Sequence, residues 1–231
     1  MPNLRESNIE DFAYEYLYSY YSASHTTKNV LIGKAEKTKQ DATADGLAAL
    51  KTAGGDVFIA TLNTRHSPKL AALLTKYKNH GISRLRYGTA LFLFAFALVV
   101  GKITGHWALL YVVPVLVALV GLACHSLLEE RYLKRKVEQL VDDLKRIPAN
   151  EQWLGLSVSS LTFRNNALAT HLLNVCKRRG IGLITVGKRA KVVQLHVPRT
   201  IPCRRGDFLS YYAAEDQIRK ALNDNSVLRV A

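Results

Sequence analysis

The chain has 231 residues, 48% of them hydrophobic, and carries 32 Lys and Arg against 18 Asp and Glu, a formal charge of +14. Its mean hydropathy is +0.01, and the two values together exclude a disordered polyelectrolyte and a plain basic nucleic-acid arm. The averages hide segments of opposite character: residues 1–86 carry +4, residues 87–128 carry +1 from Lys102 alone, and residues 129–231 carry +9.

The first segment opens with a predicted helix over residues 6–21, where Ile9, Phe12, Ala13, Tyr16, Leu17 and Tyr20 recur at helical spacing. Tyr14, Tyr16, Tyr18, Tyr20 and Tyr21 crowd the same stretch. Their spacing favours core and interface packing over base stacking. Strands are expected at 29–36, 44–52 and 56–63, the last two joined by a turn at Gly54-Gly55. Ser67-Pro68 supplies a hydroxyl cap and a proline at the first helical position, so a helix is expected over 69–79, ending at His80-Gly81.

Residues 87–128 are of another kind. A membrane-spanning helix needs roughly 20 mostly apolar residues, each rising about 1.5 Å through a core about 30 Å thick. The stretch 106–128 meets this directly. The first arm reaches spanning length from Leu85 to Thr104, with Lys102 extending its amine to the far interface. Gly101 and Gly105 mark the connector, Tyr87 and Trp107 lie where interfacial aromatics belong, and Pro114 is expected to kink the second arm. Some 80 residues precede the hairpin, which argues against a signal peptide. Lys76, Lys78, Arg84 and Arg86 precede it and Arg131, Lys134, Arg135 and Lys136 follow it. Both flanks, and with them both termini, are therefore expected in the cytoplasm of an integral membrane protein. Cys124, Cys176 and Cys203 form no CxxC, so neither a disulfide framework nor a zinc ribbon is indicated.

Beyond the hairpin, a charged amphipathic helix is expected over 129–146, with Pro148 after its end. A strand at 153–158, a helix at 164–179, strands at 181–187 and 191–197 and a short helix at 216–222 follow. Neither flank has the inventory of a self-sufficient core. The expected fold class is therefore mixed α/β: a split cytoplasmic domain with a transmembrane helical hairpin inserted. Residues 1–84 and 151–231 form its halves, 85–128 the hairpin and 129–150 the connecting helix. Two separate small domains are the alternative.

With the hairpin removed, the order helix, three strands, helix, long helix, strand, helix, strand resembles the restriction-endonuclease-like superfamily, PD-(D/E)xK. The resemblance covers residues 6–79 and 151–187 and rests on layout. Glu10 lies in the first helix, where that family often keeps an acid. Thr43-Ala44-Asp45-Gly46 enters the second strand as the family's Asp-Gly does, and Cys176–Gly187 resembles its closing helix–strand unit. The resemblance implies Mg²⁺-dependent phosphodiester cleavage, in which carboxylates hold the ion and a lysine positions the attacking water. Asp45 and Glu10 are then the candidate metal ligands and catalytic residues. Thr61 and Asn63, also candidate site residues, stand where the family has its acid and lysine. Neither carries charge, and this departure separates the fold expectation from the catalytic one.

Other motifs are silent. The histidines lack metal-ligand spacing, no phosphate-binding glycine loop or serine-hydrolase elbow occurs, and Arg205-Gly206-Asp207 falls on the cytoplasmic side. The remaining signal is basic: Lys177, Arg178 and Arg179, then Lys188, Arg189 and Lys191, with Arg199, Arg204 and Arg205 beyond. These are candidates for contact with nucleic acid or an acidic protein partner; Arg131–Lys136 suit anionic lipid of the bilayer. Two functions are expected on these grounds. One is a membrane-anchored nuclease-like protein binding nucleic acid or a partner. The other is a non-enzymatic effector or scaffold that forms a homo-oligomer through its hairpin and uses the α/β part for sensing or docking.

Overall fold

The computed structural model describes residues 4–25, 30–52, 54–187, 191–204 and 206–223. In chain order it contains α1 (Leu4–Ser24), β1 (Val30–Lys37), β2 (Thr43–Lys51), β3 (Val57–Asn63), α2 (Ser67–His80), α3 (Leu85–Thr104), α4 (Trp107–Tyr111) and α5 (Val113–Leu144). Then follow β4 (Glu151–Leu156), α6 (Ala167–Arg179), β5 (Gly182–Val186), β6 (Val192–His196) and α7 (Glu215–Asn223), with single 3₁₀ turns at Ser160–Phe163 and Phe208–Tyr211. Residues up to Thr75 and those from Glu138 onward make one compact unit; Lys76–Val137 make a second.

The first unit is mixed α/β and is built on one six-stranded sheet in the order β1-β2-β3-β4-β5-β6. The first three strands form an antiparallel meander. β3 then pairs in parallel with β4, Ala60 opposite Glu151 and Asn63 opposite Leu154, so the sheet is continuous across the two sequence flanks. β4 and β5 are also parallel. Parallel neighbours need a crossover connection, which α6 supplies between β4 and β5.

Side-chain alternation sorts the strands into two faces. On one, Ala13, Tyr14, Leu17 and Tyr21 of α1 pack with Leu50, Phe58, Leu62, Trp153 and Ile184. On the other, Leu47 and Ile59 pack with Ile147, Leu209, Tyr212, Ile218 and Leu222. The tyrosines of α1 are structural: the Tyr20 and Trp153 rings meet edge to face at 5.2 Å, and the Tyr16 hydroxyl donates to Gln194.

α6 begins three residues later than the expected helix at 164. Asn165 adopts the left-handed region (φ 54°), and the Asn166 side chain accepts the N–H of Ala169 as the helix cap. Asparagine tolerates the first conformation and is a preferred residue for the second role.

Two helices are long and apolar enough to cross a membrane, Leu85–Thr104 and the run Trp107–Leu144, whose residues up to Val137 lie in the second unit; only 6% of each most apolar window is buried. Glycines set their packing. A Cβ on Gly101 would stand 2.4 Å from the Leu109 carbonyl oxygen, and one on Gly121 would stand 2.3 Å from Leu93 Cδ1. The helical run of the second arm is interrupted at Val112, two residues before Pro114, which divides it into α4 and α5. Pro114 has no N–H to donate one turn back along this run. No break separates the second arm from the charged helix expected over 129–146: α5 is one helix to Leu144.

Candidate functional site

Glu10 and Asp45 meet at the end of β3. One carboxylate oxygen of Asp45 accepts the backbone N–H of Thr64 at 2.8 Å and that of Arg65 at 2.7 Å. The Thr64 hydroxyl donates to Glu10 at 2.8 Å, and the Tyr14 hydroxyl donates to the Asp45 carbonyl at 2.6 Å. These bonds tie α1 and β2 to the turn that leads into α2. Burial, reinforced by the charges of Glu10, Asp45 and Asp11, holds the Tyr14 phenol well above its usual range. It is therefore a permanent donor at neutral pH. Gly46 makes room for it: a Cβ there would stand 2.1 Å from the Tyr14 ring.

Thr61 and Asn63 lie on β3, just before Thr64. Phe58, Ala60 and Leu62 of β3 face α1, so alternation turns Thr61 and Asn63 to the face of Val57 and Ile59. Both are buried, at 0% and 4% exposure. Thr61 Oγ1 and Asn63 Nδ2 lack a hydrogen-bond partner among the described residues, as does Oε1 of Gln152, which lies opposite Thr61. No hydrogen bond links Thr61 or Asn63 to Glu10 or Asp45 among the described residues. Glu10 and Asp45 thus share Thr64 as donor, while Thr61 and Asn63 are buried residues of the neighbouring strand β3.

A Mg²⁺ site would draw on Glu10 and Asp45, the two carboxylates that reach Thr64. Such an ion takes carboxylate oxygens with free lone pairs in near-octahedral arrangement. Here Asp45 uses one oxygen for the N–H groups of Thr64 and Arg65, and Glu10 uses one oxygen for the Thr64 hydroxyl. Among the described residues no group of three or more His, Cys, Asp or Glu side chains is placed to hold a metal ion. What the geometry does chemically is satisfy backbone donors.

No family model, curated protein or solved structure matches the chain.

The basic candidates are likewise redistributed. At the end of α6, Arg178 lies 3.4 Å and His171 3.2 Å from the same Glu138 oxygen, and Arg179 lies 2.6 Å from Asp142. Glu138 and Asp142 sit one turn apart on α5, so Arg178 and Arg179 fasten α6 to that helix. Sequence reasoning missed these acids, although their i, i+4 spacing was a readable sign of a charged face. Lys177 and Lys191 are exposed; Lys188 and Arg189 lie outside the described residues. Burial, and then the charge of Lys177, lower the pKa of His196 on β6. Asp207, of the Arg-Gly-Asp triplet, accepts a two-pronged contact from Arg219 at 2.8 and 2.9 Å, which anchors α7.

Proposed function

We propose that the chain is an integral membrane protein, with both flanks of its hairpin in the cytoplasm, whose α/β unit docks an acidic partner at the bilayer and performs no phosphodiester chemistry of its own. The observation that carries this reading is the exposure of the apolar helices. Phe92 and Phe96 of α3 are 70% and 61% exposed, and Leu119 and Val120 of α5 are 61% each. An apolar helix in a soluble core is mostly buried; here the apolar side chains face outward, which suits lipid. The basic flanks and the single cation between the arms support the orientation.

The arrangement around Thr64 favours the non-enzymatic alternative over cleavage. Asp45 and Glu10 each give one carboxylate oxygen to donors of the fold, and Thr61 and Asn63 bring no charge. The nuclease-like resemblance enters this reading as layout alone.

Labelling with a membrane-impermeant maleimide tests the reading. In a background with the native cysteines replaced by alanine, Thr104→Cys at the end of α3 should react in intact cells. Gln40→Cys, exposed in the α/β unit, should react only after permeabilisation. Reaction of both, or the reverse pattern, contradicts the orientation.

A further inference from the structure

The two edges of the six-stranded sheet are finished differently. At the β1 edge the end of the strand is covered: Thr38 bridges Tyr212, the Lys39 N–H donates to the Tyr211 carbonyl, and the Ala213 N–H donates to the Lys37 carbonyl. At β6 the sheet ends among the described residues. Its backbone pairs with β5 on one side, and among the described residues no other backbone hydrogen bond reaches Val192–His196. All five residues are half-buried, whereas those of the neighbouring β5 are fully buried. An open edge presents a row of unused N–H and C=O groups, which a further strand can satisfy.

The charge around this edge selects what can pair there. From Gln152 to Gly206 the chain contains no Asp or Glu. Lys191 precedes β6, Arg199 and Arg204 follow it, and all three are exposed. Lys177 lies close enough to His196 to depress its protonation. A second copy of β6 would bring like charges together in antiparallel pairing, so the same residues that oppose self-association favour an acidic strand. Nucleic acid fits less well. Single strands bind through aromatic platforms as well as cations, yet residues 191–204 contain no Phe, Tyr or Trp, and Tyr16 and Tyr20 are committed to the core beside Trp153.

We infer that the outer edge of β6, with Lys191, Arg199 and Lys177 around it, is a docking site for an extended acidic segment of a partner protein, which adds a seventh strand to the sheet. Backbone hydrogen bonds supply the pairing, and the cations supply the preference for acidic side chains. This inference rests on the docking reading above. The assay below probes the edge in detergent, independently of topology, so it can fail while the labelling pattern stands, and the reverse.

The probe is a fluorescent, end-capped peptide alternating Glu and Val, titrated against the full chain in detergent. It should bind and should raise hydrogen-exchange protection at residues 192–196, with β2 and β3 as internal references for folding. N-methylation of alternate peptide amides, which removes strand pairing and keeps the charge, should weaken binding by at least about tenfold, as should the protein variant Lys191→Glu/Arg199→Glu, for loss of at least one pairing or charge contribution. That variant should gain affinity for the corresponding Lys–Val peptide. The inference is overturned if the Glu–Val peptide does not bind, if binding survives N-methylation, or if β6 gains no protection. It is equally overturned if single-stranded RNA binds at the same edge and the peptide fails to displace it.

Discussion

Tyr21 donates its hydroxyl to Glu151 across 130 positions of sequence. The same hydroxyl accepts the Trp153 indole N–H at 2.7 Å, while the other Glu151 oxygen takes the hydroxyl of Thr200. A helix before the apolar hairpin and a strand after it therefore share one buried polar network, beside the β3–β4 pairing that makes their sheet continuous. Tyr21→Phe should remove a donor from a buried carboxylate and an acceptor from a buried indole. The expected loss is about 1–3 kcal/mol, read as a shift in the denaturation midpoint. Fluorescence of Trp153 and a probe on β1 should lose structure in one transition, before and after the substitution.

Gly46 and Tyr14 are fitted to each other. Gly46→Ala would put a methyl group inside contact distance of the ring, an overpacking of about 1–3 kcal/mol. Tyr14→Ala empties that space and also loses the bond to the Asp45 carbonyl. In a double-mutant cycle the two effects should be strongly non-additive, with Gly46→Ala nearly neutral once the ring is gone. Additive losses would show that the close approach does not limit this position.

Asp45 gives a sharper separation between structure and catalysis. Asp45→Ala leaves the N–H groups of Thr64 and Arg65 without their acceptor, and a loss of about 1.5–3 kcal/mol is expected for a charged hydrogen-bond partner. Neither the native chain nor this variant should cleave labelled DNA or RNA in the presence of Mg²⁺. Cleavage by the native chain that vanishes in the variant would restore Asp45 to a catalytic role.

Alkaline pH should weaken the α/β unit from a defined point. Burial pushes the Cys176 thiol up from its ordinary 9.0 to about 12. The unfolded chain then releases this proton more readily than the folded one. The contribution is fully present below pH 9 and is lost as pH rises from 9 toward 12. Burial also raises Tyr14, Tyr21 and Tyr212 from 10.0, adding to the decline above pH 10. Denaturation midpoints should stay flat up to about pH 9 and then fall, and Cys176→Ala should move the onset toward pH 10.

The legible parts of this molecule were those written in local pattern. Apolar runs marked α3 and α5, alternation marked the strands, and Ser67-Pro68 marked the start of α2 within two residues of its place. What pattern could not supply was the use made of polar side chains by distant neighbours. Asp45-Gly46 reads as a motif in sequence, yet Asp45 serves the turn at Thr64 and Gly46 serves the Tyr14 ring. Arg178 and Arg179 read as free charge, yet Glu138 and Asp142 neutralise them from a helix forty residues earlier. Thr61 and Asn63 share a strand with Leu62 but turn to its other face, a distinction fixed by which face α1 covers.

The central claim, that residues 85–128 hold the chain in a bilayer, is met most directly by alkaline carbonate extraction of membranes from cells making the full chain. The protein should remain in the pellet and be released only by detergent. Recovery of the folded chain in the carbonate supernatant would contradict the claim.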